Sequence, residues 1–116
     1  MQKIEKWRLE EFALALKHLA ELLKSGNNCE WANVFFHFHQ ESQAIIASKE
    51  LDLEQIKKLL INIKNCYSGT SSFMKLVFWH ENEKEKLKLN EDLYKTRARL
   101  LKIMAEIEDR SVEYIS

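Results

Sequence analysis

Apolar residues return every three or four positions along most of this chain, a spacing that predicts amphipathic helices rather than strands. The first stripe is Ile4, Trp7, Phe12, Ala15, Leu16, Leu19, Leu22 and Leu23, with lysines and glutamates on the other side. Ser25-Gly26-Asn27-Asn28 ends it, since Gly and Asn most readily enter the left-handed conformation beyond a helix C-terminus. A second stripe runs through Trp31, Phe35, Phe38, Ser42, Ile45 and Ile46. The aromatic run Trp31 to His39 has strand character, but the pattern continues too far for a typical strand, and Ala32, Ala44 and Ala47 favour a helix. After the connection Ser48 to Asp52, the order Asp52-Leu53-Glu54-Gln55 has the form of a capping box. Ile56, Leu59, Leu60, Ile63 and Tyr67 then form the third stripe.

The stretch Cys66 to Phe78 joins two apolar segments and contains one of only two glycines. Gly69 suits the position just past a helix end, and Thr70, Ser71 or Ser72 can accept the unpaired N–H groups of a following helix. The further glycine and the Lys-Ser/Thr pair of a nucleotide loop are missing. Phe73, Leu76, Val77 and Trp79-His80 predict a buried helix of about three turns at the centre of the core. The mixed run Glu81 to Lys86 predicts a solvated turn or an exposed helix start. The last helix carries Leu93, Leu100, Met104 and Ile107 on one stripe, with Leu101 beside it. Asn90 and Arg97 fall on that stripe, and a guanidinium there must be paired or reach solvent. The expectation is an all-α fold, a compact single-domain bundle of about five helices spanning residues 1–116. The absence of proline agrees with it.

Composition narrows the chemistry. Eighteen basic residues balance eighteen acidic ones, so no global field draws the chain to nucleic acid or to an anionic membrane surface. No run approaches the ~20 apolar residues of a membrane span, and the N-terminus lacks the apolar core of a secretion signal, which predicts a cytoplasmic protein. Cys29 and Cys66 lie in no metal or redox motif and read as small apolar residues. His37 and His39 diverge by about 200° on a helix and cannot share an ion, whereas His37 and Glu41 share a face. Acid pairs such as Glu10 with Glu11 or Glu108 with Asp109 diverge in the same way. No residue set specifies a reaction, a cofactor or a metal. Trp7, Trp31 and Trp79 are expected in the core for the most part, with some free to anchor a partner.

Three motifs, Glu30-Trp31-Ala32, Tyr67-x-Gly69-x-x-Ser72-Phe73-x-x-Leu76-Val77 and Asn90-x-x-Leu93-x-x-x-Arg97-x-x-Leu100, resemble a family of small bacterial all-helical domains of uncharacterised function. The resemblance covers about two thirds of the chain. It departs at Lys75, where the family is acidic, and so carries over packing residues rather than a charged site. It implies that Ser72 and Phe73 cap and anchor a fourth helix, and that Asn90 and Arg97 reach back towards the Gly69 turn. Domains of this kind also resemble the immunity proteins of contact-dependent growth inhibition. That resemblance implies a cytoplasmic, non-catalytic protein that neutralises a cognate toxin domain by stoichiometric binding. Against a nuclease, Glu81, Glu83, Glu85, Glu91 and Asp92 would stand in for phosphate. The competing expectation is a non-catalytic helical scaffold or regulatory module that self-associates, as a homodimer, through exposed aromatics.

Overall fold

Leu9, Phe12, Leu16, Leu19 and Leu23 step by three and four residues, and the helix they form, α1 (Lys6–Ser25), buries all five. The computed structural model describes residues 4–68 and 73–115. At the end of α1, the N–H of Asn27 donates to the carbonyl of Lys24 (3.0 Å) and that of Asn28 to Leu23 (2.9 Å), the paired bonds of a Schellman cap. Asn27, not Gly26, takes the left-handed conformation of that cap, with φ 64°. Gly26 has an ordinary φ of −84° and is required for another reason. A Cβ there would lie 2.5 Å from the Phe78 ring, which packs onto the helix end. Gly26→Ala is therefore expected to cost about 1–3 kcal/mol by overpacking, read as a lower urea midpoint with an unchanged slope.

Asn28 caps α2 (Cys29–Ala47), its side-chain oxygen accepting from the N–H of Trp31 at 3.0 Å. This short connection makes α1 and α2 an antiparallel pair, sealed by Phe35, Phe38 and Ile45 on α2. Asp52 accepts from the N–H groups of Glu54 and Gln55 and starts α3 (Leu53–Cys66), which buries Ile56, Leu59, Leu60 and Ile63. Asn82 does the same for Lys84 (2.9 Å) and Glu85 (3.3 Å) at the start of α4 (Glu83–Ile115).

The ion pairs Arg8–Glu106 and Arg99–Glu11 run α4 antiparallel to α1, and Lys64–Glu108 ties α3 to it. The result is an all-α, up-down-up-down arrangement of four helices among the described residues. Its 52 Å long axis follows the 33-residue α4, about 50 Å at 1.5 Å per residue. No helix among the described residues is long and apolar enough to cross a membrane.

Among the described residues the expected fourth helix does not form, which leaves four helices there rather than about five. Residues 73–75 make a turn and 76–80 have no regular structure. Phe73 and Phe78 are both buried, and five residues on a helix would separate them by about 140°, so a helix could not insert both. A strap can, and its alternation turns Val77 and Trp79 outward. Gly69 and Ser72, expected as helix stop and cap, lie outside the described residues.

Candidate partner-binding surface

The strap needs partners for its backbone, and α4 supplies them. Asn90 accepts from the N–H of Phe78 (2.8 Å) and donates to the carbonyls of Phe78 (3.0 Å) and Lys86 (2.9 Å). One amide side chain thus satisfies both backbone groups of a buried residue. Seven residues on, Arg97 donates to the carbonyl of Phe73 at 2.9 Å and lies 5.5 Å from the centre of its ring. Asn90 and Arg97 therefore reach the two ends of the strap rather than a helix.

Phe73 is the hub of an aromatic cluster. Its ring centroid lies 5.1 Å from Trp31, 4.9 Å from Phe35 and 5.5 Å from Tyr67. Tyr67 in turn donates its hydroxyl to the carbonyl of Arg97 at 2.8 Å. Burial pushes the Tyr67 phenol well above its ordinary range, Arg97 offsetting part of the shift and Cys66 adding to it. Burial also lowers Arg97, with Tyr67 opposing. Because the folded state holds Tyr67 protonated, its contribution is intact below the unfolded value of about 10 and is lost as pH rises above it. Urea titrations between pH 9 and pH 11 should show wild type losing stability more steeply than Tyr67→Phe. Equal slopes would place that alkaline loss elsewhere.

The outer side of the strap is the exposed one. Trp79 is 73% exposed and Val77 stands beside it, a correction to the expected buried segment. The backbone between them is nevertheless fixed, Asn90 pairing both the N–H and the carbonyl of Phe78, and just beyond it the Asn82 N–H donates to His80 Nδ1 (2.9 Å). Of the three tryptophans, only Trp31 packs against the core; Trp7 is half exposed, its indole bonded to Glu5 and overlaid by the Arg8 guanidinium. Sequence reasoning missed Trp79 because Phe73, Leu76, Val77 and His80 also satisfy a helical stripe. The available signal was the five-residue separation of two phenylalanines.

Glu81, Glu83, Glu85 and Glu91 are exposed and Asp92 is half-buried. They do not converge on one patch. At 100° per residue, Glu83 and Glu91 lie towards one side of α4 and Glu85 and Asp92 towards another, with Lys84, Lys86 and Lys88 between them. Glu81 and Glu83 follow the strap most closely in the chain. Five acids against three lysines leave residues 81–92 at net −2.

The remaining reactive side chains are dispersed. His37 pairs with Glu41 (Nε2–Oε1 2.8 Å), and His39 Nδ1 lies 2.9 Å from the carbonyl of Ala13. An open groove of about 440 Å³ beside His39, between α1 and α2, is bordered by Lys6, Glu10, Lys17 and Gln43. Cys29 and Cys66 are free thiols, and burial raises the pKa of Cys66. Among the described residues, no group of three or more His, Cys, Asp or Glu side chains could hold a metal ion. The chain matches no protein-family model, no curated protein and no solved structure.

Proposed function

We propose that this chain is a binding protein of the immunity type, which neutralises a cognate bacterial toxin domain by one-to-one association. The observation that carries the reading is Trp79, a large aromatic exposed on a backbone segment that α4 holds in place. An aromatic presented this way offers a partner a large apolar contact at small entropic cost, the usual property of an interface anchor. Val77 extends the apolar contact, and Glu81, Glu83 and Glu85 border it in sequence. Glu81 and Glu83, which follow the anchor most closely in the chain, suit a basic toxin surface, such as the substrate cleft of a nuclease, where acids speed encounter and select the partner. Glu91 and Asp92 lie a further two helical turns along and add to the field rather than to the contact.

The test is co-expression with the C-terminal domain of the protein encoded immediately upstream, scoring growth rescue and co-purification. Rescue with a one-to-one complex is expected. Trp79→Ala should weaken that complex by at least about tenfold while leaving the fold intact. A domain that is harmless alone, or that stays toxic and unbound beside this protein, would remove the proposal.

A further inference from the structure

Ala13 of α1 and Ala47 of α2 line the groove of about 440 Å³ beside His39, and side chains this short leave the space between the two helices open. The groove lies at the end of the α1/α2 pair away from the strap. A second hollow, of about 180 Å³, continues it past Lys6 and Ile46, which line both, to Ile4, Lys49 and Leu51. Leu14, Ile46 and Leu51 give the joined groove an apolar lining, and Leu14 is 47% exposed there. His39 forms part of the wall, its ring fixed by the Nδ1–H bond to the Ala13 carbonyl at 2.9 Å.

Charge around this groove identifies its ligand. Lys6, Lys17 and Lys49 border it against one acid, Glu10, in a chain whose charges otherwise balance. None of these four is ion-paired among the described residues, whereas Arg8, Lys64 and Arg99 each have a carboxylate partner. We infer that the groove binds a free amphipathic anion, a single acyl chain ending in a carboxylate. The head lies between Lys6 and Lys49, which both line the smaller hollow, and the chain follows Ile46, Leu14 and Ala47 towards Lys17. Lysines surrounding apolar side chains oppose a cationic amphiphile and attract an anionic one.

Lys6 and Lys17 stand eleven residues apart, about 16 Å along α1, which suits a chain of medium length. Lys17 can lay its methylene stem against the tail while its ammonium stays in water. A sugar or nucleotide would need polar groups converging on the floor, and Leu14, Ile46 and the two alanines present methyl groups there instead. This inference does not depend on the toxin-binding proposal, because Trp79 lies on the strap and the readout needs no other protein.

Titration of the isotope-labelled full chain with dodecanoate, kept below its micelle-forming concentration and followed by amide chemical shifts, tests it. The shifts should saturate and fall between residues 4 and 17 and between residues 39 and 51, with the Trp79 amide unmoved. Affinity should rise about twofold for each methylene added from octanoate to dodecanoate, half the free energy of full burial because the groove is open on one side. Leu14→Glu should abolish binding with unchanged helix content, since Leu14 is exposed and does not support the core. Lys6→Glu with Lys49→Glu should weaken binding by about tenfold or more, Glu10→Gln should strengthen it, and Lys88→Glu on α4 should leave it unchanged. The absence of saturable binding, or shifts centred on α4, would overturn the inference. Binding indifferent to Leu14→Glu, or dodecyltrimethylammonium held as tightly as dodecanoate, would overturn it as well.

Discussion

Phe73→Ala is expected to cost about 3–5 kcal/mol, the largest effect of any single truncation outside the four helices. Phe73 is fully buried, and its ring is the common neighbour of Trp31, Phe35, Tyr67 and the Arg97 guanidinium. Removing it opens a cavity lined by α2, the end of α3 and α4. The aromatic neighbours cannot collapse into that space without leaving favoured rotamers. Losses of this size approach the whole stability of a small domain, so the variant should be largely unfolded at 37 °C. Phe73→Leu, which keeps most of the apolar volume, should fold and lose less, about 1–2 kcal/mol. Thermal unfolding followed by far-UV circular dichroism separates the cases. A Phe73→Ala midpoint within a few degrees of wild type would mean that the cluster does not depend on its hub.

The same hub marks where the sequence stops being readable by local pattern. The stripes of α1, α2 and α3 and the core face of α4 follow from spacing alone, because each of those helices satisfies its own backbone and needs only one buried face. Asp52 and Asn28 caps are equally local, reaching two or three residues. The strap is different. Its backbone bonds run from Phe78 to Asn90 and from Phe73 to Arg97, across twelve and twenty-four residues. Pairings between an extended strap and side chains of another element leave no periodic signal, so the spacing of Phe73 to His80 predicts the conformation that satisfies its backbone internally. Gly26 illustrates the same limit. Its place after α1 suggested a left-handed cap, but Asn27 supplies that conformation and the glycine makes room for Phe78, fifty-two residues away. The acidic residues of the candidate surface were legible as a composition, yet the helical repeat distributes them over two sides of α4. The exposure of Trp79 was not legible, because it depends on the strap being extended.

Asn90→Ala is expected to lower stability by about 2–4 kcal/mol, more than the loss of a single hydrogen bond would. The substitution removes three bonds, and two of them satisfy the N–H and carbonyl of Phe78, whose side chain is buried against Gly26 at the far end of α1. Backbone groups left unpaired there bear a desolvation penalty of about 1–3 kcal/mol, unless the strap lifts to reach water. Lifting exchanges that penalty for the withdrawal of Phe78 from the core. Asn90→Asp distinguishes the two halves of the clamp, since a carboxylate still accepts from the Phe78 N–H but cannot donate to either carbonyl. Its loss should fall between wild type and Asn90→Ala in urea unfolding. The strap also positions Trp79, so Asn90→Ala should loosen that indole while the four helices persist. Increased quenching of tryptophan fluorescence by acrylamide, above that of a Trp79→Phe control, would report it. Under the immunity proposal the same variant weakens toxin binding although every acidic side chain is still present. Undiminished affinity together with a loosened indole would show that the contact lies in the acids of α4 and not on the strap.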